Sequence, residues 1–437
     1  MQQESKQDSQ QVVNNIQNSI QLKGLQKFKL IFILAFLSAI APLSIDMYLP
    51  ALPNVSKSFQ ASEFYTQLSL TSFFLAFALG QLLYGPLSDI FGRKKPLYIG
   101  ISLFILSSIG CVLVDSISIF IILRFLEALG GCAGVVIARA IVNDRFDIKD
   151  ASGVFALMMV VSSLAPMLSP SFGSMLLNFF SWHSIFATLF LCGIILLLLV
   201  FFSLEESAPN FKNNITTKHN LATSHTKTLQ TYKRILQEKI FMIYVISGSF
   251  AMAAMYAYIT GSSFVYMNIF GLDKNAYSIV FALNALSFVV CANINAKIVQ
   301  KIPPQHIISK AFIAMLIFSI ILVVAGILNY TSPIESTVSM SWFHWRFLIF
   351  EIAMLSTISM LGFILPNLTT LAMARFKDCS GSASAVLGTI QFGMAGIISF
   401  LVGAFHANTP IFLACIMFST VSCGVLLYFS FAKEKWI

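Results

Sequence analysis

The stretch GPLSDIFGRKK, Gly85 to Lys95, separates two long apolar runs, and its reading decides the fold. The nine residues Tyr84–Gly92 are followed directly by Arg93, Lys94 and Lys95. In a chain dissolved in lipid, such a segment is a hairpin turn held at the membrane surface by three cations. Hydrophobicity accounts for neither Asp89 nor the two glycines, Gly85 and Gly92, that flank it. A second interruption has the same character: GFILPNLTT, Gly362 to Thr370, followed shortly by RFKDCSG, Arg375 to Gly381.

The composition around these turns is that of a membrane protein. Hydrophobic residues make up 57% of the 437 and charged residues only 10%, against about 25% charged in soluble domains. The seven cysteines show no CxxC pairing, and all but Cys379 lie in apolar runs, so they read as small hydrophobes. Residues 1–27 are rich in Gln, Asn and Ser and lack the apolar core of a signal peptide. They read as a disordered cytoplasmic tail, with 432–437 as a short second tail.

A helix crosses a bilayer in about 20 mainly apolar residues. That window predicts spans over 28–50, 64–87, 96–115, 118–142, 151–177, 184–204, 240–262, 276–298, 306–328, 346–372, 382–404 and 409–431. The expected fold is an all-α membrane protein of twelve transmembrane helices in two six-helix halves, 28–204 and 240–431. A polar cytoplasmic linker over 205–239 joins them. Two repeated halves are a common build for transporters.

With the N-terminus inside, all but four of the 27 lysines and arginines fall on one side. The exceptions are Lys57, Lys274 and Arg346 on the other side and Arg124 within a span. The net charge of +9 is therefore a topology signal that places both termini in the cytoplasm. It gives no support to a nucleic-acid partner.

Polar and small residues recur at helical spacing inside several spans: Gln67, Thr71, Ala78 and Gln81; Ser249, Ala253, Tyr256 and Thr260; Asn284, Ser287, Cys291 and Asn295; Ser384, Gly388, Gln391 and Ala395. Each stripe marks one helix face. Interhelical packing explains any one of them, whereas four stripes over both halves favour a shared ligand cavity. Intramembrane charges say more, because each is costly unless paired or hydrated. Arg124 and Glu127 share a helix face and can form an internal ion pair. Asp46, between Pro42 and Pro50, has no acid or base on its own helix. It must meet another span, touch water or carry a proton, and a carboxyl so poised is the simplest proton carrier. Glu351, near Arg346, reads as an interfacial anchor. Pro166 and Pro170, one turn apart with Gly173 following, bend their helix and supply either a fixed shape or a hinge.

Three motifs resemble the major facilitator superfamily, specifically its twelve-span drug:proton antiporters. GPLSDIFGRKK resembles the signature between helices 2 and 3. LRFLEALG, Leu123 to Gly130, resembles the helix-4 signature with its buried arginine, and APMLSPSFG, Ala165 to Gly173, the helix-5 antiporter signature. SIDMYLPALP (Ser44 to Pro53), ARAIVND (Ala138 to Asp144), Asn295, FILPN (Phe363 to Asn367) and GSASAVLG (Gly381 to Gly388) are similar to the bicyclomycin-resistance (Bcr/CflA) branch. The chain departs from these patterns at Ile90, where a basic residue is usual, at Glu127, where glutamine is usual, and at Ser174, where glycine is expected.

The resemblance implies a proton-coupled multidrug efflux transporter of the bacterial inner membrane, working as a monomer by alternating access and driven by the proton gradient without a cofactor or metal. Its expected partners are small-molecule drug substrates, protons and the lipid bilayer. Proton coupling is expected at Asp46, Glu127 and Arg124, and substrate binding at Tyr48, Gln67, Arg124, Tyr256, Asn284 and Gln391. A conformational latch is expected from Gly85, Asp89, Gly92, Arg93 and Asp144, with Asp89 facing the start of span 11, and a hinge from Pro166, Pro170 and Gly173. The alternative in the same class is a proton-coupled exporter or importer of a metabolite such as an amino acid. A membrane-embedded enzyme or sensor is more remote, since no HExxH, GxSxG, phosphate-binding Gly-Lys loop or His/Cys cluster appears.

Overall fold

The structure, a computed structural model, describes residues 24–146, 148–207, 230–330, 345–376, 379–405 and 409–431. The expected N-terminal tail apart from 24–27, most of the linker and the C-terminal tail lie outside the described residues. Within them every regular element is helical, the arrangement in which a lipid-embedded backbone satisfies its own polar groups.

Span 1 is Gly24–Asp46, continued after a break by a 3₁₀ turn, Leu49–Ala51, and a short helix, Leu52–Ser58. Span 2 is Glu63–Phe91, span 3 Lys94–Leu113, span 4 Ile117–Arg145, span 5 Ile148–Phe179 and span 6 His183–Ser203. Span 7 is Lys239–Phe264, run on by a π turn, Val265–Ile269. Span 8 is Lys274–Ile298, span 9 Pro304–Tyr330, span 11 Ser380–Ala404 and span 12 Pro410–Phe431, while span 10 comprises Trp345–Ser359 and Leu361–Met373. Eleven of these are long and apolar enough to cross a membrane among the described residues. Span 5 takes the twelfth place: its 32 residues reach about 48 Å at 1.5 Å per residue. Exposed apolar side chains follow the helical period, as in Ile99, Leu106 and Leu113 of span 3 or Leu191, Ile195, Leu198 and Phe202 of span 6. Those faces turn outward, where lipid belongs.

Spans 1–6 pack on one another, as do spans 7–12, and the two groups meet chiefly along two seams: span 2 with span 11, and span 5 with span 8. Exchanging each span for the one six places away maps one seam onto the other, so the halves are joined with two-fold logic. At the first seam Phe77 of span 2 meets Phe392 of span 11 (4.4 Å between ring centroids), and Phe74 of span 2 meets Tyr256 of the adjoining span 7 (4.8 Å). Thr71 and Thr260 both donate to the Ser399 hydroxyl, at 3.0 and 3.1 Å.

The second seam is closed on the distal face, opposite the basal face where span 1 begins and span 12 ends. Ser174 and Ser278 touch through their hydroxyls. Ser174 donates to the Lys274 carbonyl (2.8 Å) and Ser278 to that of Pro170 (3.0 Å). Asn178 donates to Asn275 at 3.1 Å. The serine that departs from the helix-5 pattern thus joins the halves. Pro166 and Pro170 lie inside one continuous helix. Gly173 packs so closely on the break in span 1 that a Cβ would stand 2.2 Å from the Met47 carbonyl oxygen.

On the basal face, Arg93 clamps the end of the 85–95 turn. Its Nε and Nη2 donate to Asp144 at 2.8 and 3.3 Å, and Nη1 donates to Ser88 (2.8 Å) and Asp89. Burial works against the Arg93 charge, but Asp144 and Asp89 more than offset it and hold the guanidinium above its ordinary basicity. Glu206, just past span 6, accepts from the backbone N–H groups of Arg93 (2.8 Å) and Lys94 (3.1 Å), a carboxylate set on the positive end of span 3. Asp89 thus bonds to Arg93 within its own half, and it also lies within electrostatic reach of Tyr232 in the linker. Span 2 ends at Phe91, and the turn at Gly92 brings Arg93 back beside Asp89.

Gly92 adopts φ 82° and ψ 170°, a conformation all but reserved for glycine. Gly92→Ala is expected to destabilise the protein by about 1–3 kcal/mol, read as a lowered unfolding midpoint in detergent. Gly85→Ala, where an added Cβ meets nothing within 4 Å, is expected to leave that midpoint unchanged or slightly raised. A Ser174→Cys, Ser278→Cys pair is expected to cross-link under oxidation and abolish transport, with dithiothreitol restoring it.

Candidate functional site

Among the described residues, three carboxyl groups lie inside the bundle, each in a different chemical setting. Glu127 is neutralised: Arg124 Nη1 donates to its Oε2 at 2.7 Å, and both side chains are 0% exposed. Ser44 (2.9 Å) and Ser108 (3.3 Å) donate to the other oxygen. Arg124 also bonds the Ser44 hydroxyl and carbonyl, at 3.0 and 3.1 Å. The rings of Phe73, Tyr48 and Phe186 surround its guanidinium, with centroids 4.5–5.5 Å away. The i, i+3 spacing on span 4 makes the ion pair possible, and the aromatic shell keeps it dry.

Asp46 is handled otherwise. It is the last residue before span 1 breaks, is 4% exposed and forms no ion pair among the described residues. Its Oδ1 is buried without a hydrogen-bond partner. Across the seam it lies within electrostatic reach of Tyr256, Tyr258 and Tyr277.

Glu351 corrects the sequence reading. It does not anchor the interface beside Arg346, whose guanidinium lies over the Trp345 ring. Instead Glu351 turns into the C-terminal half. Asn284 Nδ2 donates to its Oε1 at 2.8 Å and Tyr266 donates to its Oε2. Asn284 also donates to the Tyr258 hydroxyl at 3.1 Å. Position along the sequence shows depth on a helix but not rotation, and the rotation of span 10 decides the outcome.

The six residues expected to line one cavity are divided. Tyr48 and Arg124 lie in the interior of the N-terminal half, where Tyr48 bonds Ser69 at 3.1 Å and packs on Phe120 and Phe186. Asn284 lies within the C-terminal half. Gln67 and Tyr256 stand on the seam, Gln67 with both polar side-chain atoms buried and unpartnered and close against Gly403 of span 11. Gln391 borders a small cleft among spans 7, 10 and 11 with Tyr244, Gly248 and Leu368. Small-residue stripes let spans 2 and 11 approach closely, so part of what reads as cavity lining is packing: Gly388 and Gly396 lie against Gln81 and Leu75.

Several residues of these networks had no signal of their own. Ser399 is an isolated hydroxyl in apolar sequence, and Ser44, Ser69 and Ser108 are not distinguished from the other polar residues near them. Tyr258 falls off the Tyr256 stripe by two positions, and Tyr266 lies beyond the predicted end of span 7 in the π turn. Asn295 and Asn367, which carried resemblance from separate motifs, bond each other at 2.7 Å between spans 8 and 10.

The model of the Major Facilitator Superfamily matches residues 34–400. The chain is similar to the uncharacterized MFS-type transporter YdgK of Bacillus subtilis, with 34% identity over 94% of this chain and 97% of that protein. It is similar to a bicyclomycin resistance protein homolog of Haemophilus influenzae, with 27% identity over 92% of this chain and 96% of the other. With the multidrug resistance protein MdtL of Escherichia coli it shares 26% identity over 89% and 92%. Among solved structures, a D-xylose-proton symporter superposes with a TM-score of 0.71 at 15% identity, covering 92% of this chain and 97% of that one. The E. coli xylose transporter XylE in a partially occluded inward-open conformation gives 0.68 at 13% identity over the same shares. At such identities these two structures speak for the fold alone. Signature turn, paired six-helix groups and relatives matched over nearly their whole length agree: the chain belongs to the major facilitator superfamily.

Proposed function

We propose that the protein is a drug:proton antiporter that exports small, largely apolar toxic compounds across the bacterial inner membrane by alternating access. Asp46 is the observation that carries this reading. A buried carboxyl with an unsatisfied oxygen and no cation partner is unstable as a bare charge, and binding a proton relieves it. Its place at the break in span 1, against tyrosines of the other half, couples that binding to the seam that must open and close. Tyr256, Phe74, Phe77 and Phe392 supply apolar ring surface beside it, suited to aromatic or greasy compounds.

In the cycle we infer, substrate enters from the basal side, which the Lys/Arg distribution assigns to the cytoplasm, and displaces the proton from Asp46. Opening of the Ser174–Ser278 seam releases substrate outward, and a proton then returns to Asp46. If net charge moves, the membrane potential adds about 2.3 kcal/mol per charge per 100 mV. The names of the Haemophilus and Escherichia relatives, resistance to bicyclomycin and multidrug resistance, support export over uptake. Glu127 is less suited to proton exchange than Asp46, since Arg124 and two serines already compensate it.

The test uses energised everted vesicles from cells overproducing the protein. Adding bicyclomycin or another antibiotic from a resistance panel is expected to discharge a preformed pH gradient. Asp46→Asn is expected to lower that discharge at least about tenfold, since each 1.4 kcal/mol of lost coupling is a factor of ten, with folded yield retained. Normal proton exchange by Asp46→Asn would remove Asp46 from the mechanism, and unaltered drug sensitivity in overproducing cells would favour a metabolite as cargo. Glu127→Gln is expected to fail differently. It strands the Arg124 charge, costs about 3–5 kcal/mol, and shows first as a lowered unfolding midpoint.

A further inference from the structure

We propose that Glu351 is a second proton-exchanging carboxyl, carried by the C-terminal half and coupled to Asp46 through Tyr258. This rests on the proton-coupled reading above but concerns a residue that reading does not use.

The argument begins with the company Glu351 keeps. Its two bonded partners, Asn284 and Tyr266, are neutral, so its charge is solvated by hydrogen bonds and balanced by nothing. Among the described residues, the titratable groups near it are Tyr258 and Tyr266 from span 7 and its π turn, with Tyr277 from span 8 beside those two. None is a cation. On its own span Arg346 sits five positions earlier, over Trp345, and Glu351 makes no ion pair with it among the described residues.

The second observation is an orphan atom. Asn284 is 1% exposed, and its Oδ1 is buried with no partner while its Nδ2 lies within hydrogen-bond distance of Glu351, the Tyr258 hydroxyl and the Val280 carbonyl. An amide half-turn exchanges these two ends. With Glu351 ionised, the N–H end faces the carboxylate, as observed. With Glu351 protonated, its new O–H requires an acceptor, and the turned amide presents one. The proton taken up stays on the carboxyl oxygen and leaves from it to water when the site opens. One asparagine thus serves both forms, a provision that a permanently charged glutamate does not need.

Coupling follows from Tyr258. This buried tyrosine is within electrostatic reach of both Glu351 and Asp46 and accepts from the amide that holds Glu351. Charge on either carboxyl bears on the same hydroxyl, and this shared neighbour is the route of coupling between them. They belong to opposite halves, so a change in the seam alters their interaction.

Infrared difference spectroscopy tests this on the full-length protein in nanodiscs, reading the C=O band of protonated carboxyl groups across a pH step. The wild-type band is expected to fall by half in Glu351→Gln and by half in Asp46→Asn. Tyr266→Phe keeps the carboxyl but removes a donor to its ionised form, and is expected to move the Glu351 component to higher pH. An undiminished band in Glu351→Gln, or an unmoved component in folded Tyr266→Phe, overturns the proposal. The Tyr266 variant decides the matter if Glu351→Gln does not fold. The antiport reading fails separately: wild-type proteoliposomes that carry bicyclomycin without moving protons would reject it, whatever the infrared band shows.

Discussion

A carboxyl group drawn into a lipid-embedded bundle must be paired, hydrogen-bonded or protonated, because hydrocarbon offers no fourth choice. This constraint orders the molecule. Glu127 takes the first course, locked to Arg124 under an aromatic shell. Glu351 takes the second, held by neutral donors from spans 7 and 8. Asp46 has neither, and it stands where span 1 breaks and the halves meet. The gradation runs from a permanent structural pair to a group whose state depends on what the seam is doing.

The two seams divide the labour in a way that their two-fold relation conceals. Span 2 meets span 11 through small residues, rings and the Ser399 hydroxyl cluster, a dry and closely packed contact. Span 5 meets span 8 through serine and asparagine side chains and the Pro170 and Lys274 carbonyls at the distal end. A packed apolar contact is lost in large steps when it separates. A row of neutral hydrogen bonds, each with a net worth of about 1 kcal/mol, can be exchanged for water one at a time. The distal end is therefore the softer of the two in the state observed.

Much of this was legible in the sequence because lipid imposes simple periodicities. The number of helices, the grouping into sixes and the turn at Gly85–Lys95 follow from apolar run length and loop charge. The i, i+3 relation of Arg124 and Glu127 announced their pairing, and the isolation of Asp46 its exposure to another span. Rotation and neighbour identity were not legible. Glu351 read as interfacial because Arg346 is near in sequence, whereas its helix turns it toward Asn284. Tyr48 and Arg124 read as cavity lining because polar groups in lipid attract that reading, yet they close on Ser69 and Ser44 within one half. Glu206 gave no sign at all: its role requires knowing that the end of span 6 returns beside the start of span 3.

The clamp on Arg93 has a further consequence, because its two carboxylates are unequally sheltered. The Asp144 side chain is 9% exposed and that of Asp89 68%. Dissolved ions screen an open pair within about a Debye length, near 8 Å at physiological ionic strength, and act much less on a covered one. Added electrolyte, or an anionic headgroup competing for the guanidinium, therefore loosens the Asp89 arm first and leaves the Asp144 arm in place. The lipid composition of the host leaflet becomes a dial on one residue, setting how often Asp89 is released from Arg93.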